Sequence, residues 1–276
     1  MLLAVDVGNT ETVLGLFAPA PDGRGHLGDV VREWRLHTDP RATADELALT
    51  VCGMLGEHAA AVSGVAALST VPAALRELRR MVERTFAGVP TVVIGPGVRT
   101  GVPLLVDNPR EVGADRVVNT LAAHHGHGGA CVVVDFGTST NIDVVSSRGE
   151  FLGGALAPGI EISLEALASR AAALRTVELV VPRSVIGRTT VEALQSGILY
   201  GVAGQVDGLV RRICAELPTP TDEIAVIATG GLAPLVVEEC ATITHHEPDL
   251  TLVGLQLVFD RIAARDAERP PPRARR

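Results

Sequence analysis

The chain has 276 residues, 47% hydrophobic and only 3% aromatic, with a formal net charge of −8 at pH 7. That apolar content excludes disorder over most of the length, and the acidic balance argues against a nucleic-acid surface, which needs clustered cations. Every one of the 24 basic residues is arginine, so a phosphate-binding P-loop, which requires a lysine, is excluded. Cys52, Cys131, Cys214 and Cys240 are far apart in mostly apolar contexts. They read as reduced core thiols, not as a disulfide framework or a metal site. The chain opens on a strand-like run without a signal-type segment, and no apolar run is long enough to span a bilayer, so a soluble cytoplasmic protein is expected.

Taken in order, Leu3–Val7 reads as a buried strand, Thr12–Phe17 as a second, and Val30–His37 as a third after a polar turn at Pro21–Gly28. Thr43-Ala-Asp-Glu46 is a capping-box pattern that opens an amphipathic helix through about His58. Val65–Ser69 is a short strand, Pro72 begins a helix that runs to Phe86, and Thr91–Ile94 is another strand. A Gly- and Pro-rich loop then leads to a helix from about Glu111 to His125. The second half restarts with strands at Ala130–Asp135, Asn141–Val145 and Glu150–Ala157. Helices at about Ile160–Ala173 and Thr190–Cys214 follow, then a strand at Ile224–Ala228 and helices at Leu232–Cys240 and Leu250–Ala264. Arg265–Arg276, with three consecutive prolines, reads as a disordered basic tail.

The order β-β-β-α-β-α therefore occurs twice, which predicts an α/β protein of two duplicated domains, residues 1–116 and 117–264. Both copies begin with the same device. Asp6-Val-Gly-Asn-Thr10 and Asp135-Phe-Gly-Thr138 each end an apolar strand in Asp-x-Gly and lead into a second strand. Such a turn presents backbone N–H groups and hydroxyls as an anion-binding concavity, with glycine permitting close approach. Its aspartate meets a phosphate only through a cation. A single such turn would be an ordinary hairpin; two in matching contexts suggest a nucleotide gripped between two domains.

Between the turns lie Asp107-Asn-Pro109 and Glu111-Val-Gly-Ala-Asp-Arg116, and beyond them Gly153-Gly-Ala-Leu-Ala-Pro-Gly159, Val185-Ile-Gly187, Gln195-Ser-Gly-Ile-Leu-Tyr-Gly201 and Ala228-Thr-Gly-Gly231. In this order and spacing, from Leu3 to about Phe259, the chain closely resembles the bacterial type III pantothenate kinases. The resemblance implies an actin-like (ribonuclease H-like) fold, each domain a mixed sheet flanked by helices, with ATP in the cleft between them. It further implies phosphorylation of pantothenate to 4′-phosphopantothenate, the first step of coenzyme A synthesis, by a homodimer that uses Mg²⁺ and a monovalent cation, K⁺ or NH₄⁺.

By the same resemblance Asp115 is the general base, and Gly113, Ala114, Asp115, Arg116 and Thr190 bind pantothenate. Asp6, Val7, Gly8, Asn9, Thr10, Glu11, Thr12 and Val13 line the nucleotide phosphates, joined by Thr138, Gly230 and Gly231. Asp6 would hold magnesium and Asp135 the monovalent cation. On spacing alone, Gly113–Arg116 reads more readily as a helix-start Asp paired with the next Arg for capping than as an anion site, and Thr190 is equally an N-cap. Two segments depart from the family pattern: Val106 stands where many members carry tyrosine, and the second turn has Ser139 where alanine is common and Asn141-Ile142 where Thr-Phe is common. His124, His125, His127, His245 and His246 read as surface histidines, because no Cys or carboxylate accompanies the first three at ligand spacing. Val202–Ile213, with Gly201, Gly204 and Gly208, reads as core or dimer interface. A non-catalytic homologue that keeps the nucleotide clamp as a sensor is the alternative from another class, and a kinase of another small alcohol a third.

Overall fold

The computed structural model describes residues 1–20, 26–95, 98–170 and 177–267, in two compact units. The first comprises Met1–Gly101, Arg110–Ala122 and the chain from Thr251 onward; the second comprises Val102–Pro109 and Ala123–Leu250. The division thus differs from one boundary after Arg116, since the last helix joins the first unit.

The first unit is a five-stranded sheet of order β3-β2-β1-β4-β5: β1 (Leu2–Val7), β2 (Glu11–Pro19), β3 (His26–His37), β4 (Gly64–Ser69) and β5 (Thr91–Ile94). The first three strands pair antiparallel and the rest parallel, the parallel steps being bridged by helices α1 (Ala44–Leu55) and α2 (Pro72–Thr85). β3 begins at His26, so part of the predicted turn is strand; residues 21–25 lie outside the described residues. Thr43 caps α1 with the full reciprocal box, and the helix gives way at Gly56 to a 3-10 turn, short of the expected His58. Strand alternation places Leu3, Val5, Val7, Leu14, Leu16, Val65 and Ala67 on one face, packed against Val51 and Leu55 of α1 and Leu78, Met81 and Val82 of α2.

The opposite face meets the end of the chain. Gly15 and Gly64 leave room for Leu252 and Phe259 of the last helix, α7 (Leu250–Ala267): a Cβ on Gly15 would lie 2.8 Å from Leu252. That helix in turn packs against α3 (Ala114–His127), where Gly254 meets the Val118 carbonyl so closely that a side chain there is impossible. Residues 265–267, expected in a disordered tail, continue α7; the remainder of the tail lies outside the described residues.

The second unit repeats the sheet, in order β10-β9-β6-β7-β8: β6 (Cys131–Phe136), β7 (Ser139–Val145), β8 (Phe151–Pro158), β9 (Ala225–Thr229) and β10 (His245–His246). Here too an antiparallel triplet is extended by parallel strands. Helices α4 (Ile160–Arg170), α5 (Thr190–Glu216) and the single-turn α6 (Ala233–Val236) complete the unit. Residues 171–176, where α4 was expected to continue, lie outside the described residues. The core joins Val132, Val134, Phe136 and Ile142 of the sheet to Val202, Val206 and Val210 of α5, so the apolar side of that helix is core, while Gly201 and Gly204 face open space. No helix among the described residues is long and apolar enough to cross a membrane.

Candidate active site

In the first unit the β1–β2 hairpin carries the Asp6 turn. Val7 pairs with Thr12 across it, and Gly8 N–H donates to the Glu11 carbonyl at 2.9 Å. A Cβ on Gly8 would lie 2.9 Å from that carbonyl oxygen, which is why glycine is needed. Ser69, at the end of β4, donates its hydroxyl to the Val7 carbonyl at 2.8 Å and so fixes the root of the turn. Asn9 and Thr10 form an exposed tip, with Glu11 beside Arg35 at 3.5 Å. Thr12 is buried instead; its hydroxyl shares a 2.8 Å hydrogen bond with Thr38, and Val13 lies half-buried next to it. Asp6 is a half-buried carboxylate at the tip of β1.

The second unit carries the equivalent turn, with Asp135 opposite Asn141 and Gly137 N–H donating to the Ser139 carbonyl at 3.1 Å. Ser139 donates its hydroxyl to the Asn141 side-chain carbonyl at 2.8 Å, so the departure from alanine adds a local bond inside the hairpin. Two glycines wall this turn. Gly230 has a φ of +94°, and a Cβ on it would overlap the Asp135 carboxylate and come within 2.6 Å of the Phe136 carbonyl. Gly159 lies against the Thr138 and Gly137 carbonyls. Gly231 follows Gly230 on the exposed surface. The result is a carboxylate with backbone carbonyl oxygens gathered at one strand tip, a hard-oxygen donor set.

Asp115 occupies the first turn of α3, in the first unit. A Cβ on Gly113 would collide with its Oδ1. That oxygen is closed off from solvent and has no hydrogen-bond partner. Burial pushes the carboxyl above the usual range, opposed by the Arg116 amide and guanidinium. A carboxylate held away from water at a helix start is suited to accept a proton from a bound hydroxyl. Ala114 and Arg116 flank it, both partly buried.

Thr190 stands exposed at the start of α5, in the second unit, but the cap is the preceding residue: Thr189 accepts from the Glu192 amide at 3.1 Å. Val106, also in the second unit, lies 3.7 Å from where a Cβ on Gly153 would be, beside a segment bonded to β8 through Leu105 and Phe151. Of the histidines read as surface residues, His125, His245 and His246 are exposed, whereas His124 and His127 are partly buried. His127 meets the Glu247 carboxylate at 2.9 Å, and its ring sits edge-on to His245 with centroids 4.4 Å apart. The sequence could not supply Glu247, which lies 120 residues from His127. Among the described residues, no group of three or more His, Cys, Asp or Glu side chains could hold a metal ion. All four cysteines are free; burial first, then the Glu247 charge, pushes the Cys131 thiol up to about 11.

Two sheets of this topology, each led by a hairpin with an Asp-x-Gly turn, place the protein in the actin-like class of duplicated ribonuclease H-like folds. A solved relative of that fold is the activator of the 2-hydroxyisocaproyl-CoA dehydratase from Clostridium difficile, with bound ADPNP. Its TM-score is 0.54 at 12% identity, covering 99% of each chain. Within that class the chain belongs to the type III pantothenate kinase family, whose sequence profile matches residues 2–212. It is 70% identical to the type III pantothenate kinase of Saccharopolyspora erythraea, over 95% of this chain and 98% of that one. It is 66% identical to that of a Parafrankia species, over 95% and 98%.

Proposed function

We propose that this chain transfers the γ-phosphoryl group of ATP to the 4′-hydroxyl of pantothenate, giving ADP and 4′-phosphopantothenate and so opening coenzyme A synthesis. The observation that carries the reading is Asp115, an enclosed, unpartnered carboxylate oxygen in the intact Gly-Ala-Asp-Arg sequence of a chain 70% identical to a named type III pantothenate kinase. Asp115 orients the substrate hydroxyl and takes its proton as the new P–O bond forms. Base catalysis supplies about 10²–10⁴ in rate; the rest of the acceleration of a loose phosphoryl transfer comes from positioning and charge stabilisation. Arg116 offers a guanidinium fork to the pantothenate carboxylate, next to Gly113 and Ala114. Thr190 is assigned a substrate contact.

The turn from Asp6 to Val13 takes the phosphates, with Asn9 and Thr10 at its exposed tip next to the half-buried Gly8, and Thr12 acting from behind through its bond to Thr38. Magnesium keeps most of its waters and needs one or two carboxylates, so the single half-buried Asp6 fits it, directly or through water. Bound there, the ion would neutralise phosphate charge. The crowding of Gly230 against Asp135, with the turn's carbonyls nearby, fits a monovalent cation, potassium or ammonium. Thr138, Gly230 and Gly231 are assigned to the nucleotide. We assign the protein to the cytoplasm, in keeping with four free cysteines. A homodimer is proposed from the apolar side chains that the second unit exposes, Leu156, Val180, Val181, Val185, Ile186 and Val191 among them.

The test is ADP release by the purified protein with Mg·ATP, with and without pantothenate, and with sodium exchanged for potassium or ammonium. Pantothenate-dependent turnover that needs the larger cation is expected. ATP binding without pantothenate-dependent turnover would overturn the kinase reading in favour of a nucleotide sensor.

A further inference from the structure

Asn119 lies on α3 one helical turn beyond Asp115, and it is 1% exposed. The two ends of its amide are treated differently. Thr251 Oγ1 donates to Asn119 Oδ1 at 2.8 Å, whereas Asn119 Nδ2 is closed off from solvent and has no acceptor. Asp115 Oδ1 is the complementary case, an enclosed acceptor without a donor. A buried polar group left unmatched costs about 1–3 kcal/mol, so an orphan donor and an orphan acceptor one turn apart call for an explanation. Helical side chains lean toward the N-terminus, which inclines the Asn119 amide toward residue 115, and positions i and i+4 are neighbours. The amide is also held in place. Gly254 packs on the Val118 carbonyl, and Thr251, three residues earlier on α7, grips the oxygen end of Asn119 and leaves the nitrogen end facing away.

We propose that Asn119 is a positioning residue for Asp115: in the working enzyme its Nδ2–H donates to the Asp115 carboxylate, leaving a remaining carboxylate lone pair to receive the substrate proton. The inference rests on Asp115 being the base. Thr251 acts as the anchor that presents the amide nitrogen. The charge acting on Asp115 from its own helix is Arg116. The helix packed on α3 contributes Thr251 there; its charged residues begin at Asp260 and Arg261, with Asp249 immediately before its first turn. A donor to the ionised carboxylate favours that form, so removing it raises the pH at which the base becomes available.

The experiment is the pH dependence of kcat and kcat/KM for the wild type, Asp115→Asn, Asn119→Leu and Thr251→Val, with Mg·ATP and pantothenate. Asn119→Leu keeps the shape of the side chain and removes the donor. Its acid limb should move up by about one pH unit, a tenfold loss of active enzyme below the limb, with KM for pantothenate little changed. Thr251→Val should move the limb the same way by less. A purely structural role would lower the melting midpoint and leave the limb in place, and that result overturns the proposal. If Asn119→Leu does not fold, Thr251→Val decides alone, an unmoved limb being the negative result. Normal turnover by Asp115→Asn would instead remove the base assignment itself, a separate failure.

Discussion

Asp115 Oδ1 occupies the space that a Cβ on Gly113 would need. The glycine is therefore a steric condition for the position of the carboxylate, and its own backbone is outside the left-handed region. Gly113→Ala should push Asp115 aside and lower kcat by up to the base's share, about 10²–10⁴. Folding stability should change by no more than about 1 kcal/mol. Steady-state kinetics beside a thermal melt separates the two effects.

Asp115→Asn should lower turnover by about 10²–10⁴ while nucleotide binding persists. Its effect on stability has the opposite sign. A carboxyl raised by burial stabilises the fold in its neutral form, a contribution fully present below the unfolded value near 3.9 and lost as pH rises through the folded pKa. Once ionised, the wild-type carboxyl is a buried charge that the asparagine variant lacks. Melting curves should show the variant gaining on the wild type as pH rises through the folded pKa, with the difference smallest below about pH 4.

Gly230 meets Asp135 with a φ of +94°, so any side chain there is both strained and in collision. Gly230→Ala should cost at least about 1–2 kcal/mol from backbone handedness alone. Asp135→Asn keeps the shape and removes the charge. It should abolish the dependence of turnover on potassium while the melting midpoint stays within a few degrees. A potassium titration indistinguishable from wild type would take Asp135 out of the cation site.

Asp207 on α5 ties down the turn that leads into β10. It accepts from the Ala241 amide at 3.1 Å, the Thr242 amide at 2.9 Å and the Thr242 hydroxyl at 2.8 Å, and pairs with Arg211 at 3.1 Å. Burial acts to raise its carboxyl, but these donors outweigh it and hold it below the usual range. Its contribution is therefore present above the unfolded pKa and lost as pH falls through the folded one. Asp207→Ala should cost about 2–3 kcal/mol at pH 7, and less in acid, in denaturant titrations.

Ile186 is 80% exposed and Val185 64%. Ile186→Asp should shift a dimer toward monomer in sedimentation velocity at micromolar concentration, with the far-UV spectrum unchanged. A wild-type protein that sediments as a monomer would dispose of the dimer.

Much of this was legible because it is local. Thr43 and Glu46 announce the α1 cap within four residues, and the two Asp-x-Gly hairpins declare themselves by strand alternation and turn chemistry. What the sequence hid depends on distance or on close alternatives. Thr189 and Thr190 are equally good caps on composition; the extended backbone at Thr189, φ −126° and ψ 160°, decides between them. β10 is two residues long and gains its strand character from pairing with β9, so His245 and His246 read as surface histidines rather than as a strand. Asn119 reads as one more polar residue in a helix until Thr251, 132 positions away, is seen to hold it.

The position of α7 sets the order of assembly. Leu2, Ala4, Ala66 and Leu68 are fully buried on the face opposite the α1–α2 core, and the helix against that face is translated only after the second unit. During synthesis the first sheet can collapse on α1 and α2, but its other surface stays bare while the whole second unit is translated. A nascent chain arrested before residue 250 therefore displays a half-covered, strand-rich template prone to pairing with its neighbours, and the emergence of α7 is the step that seals it.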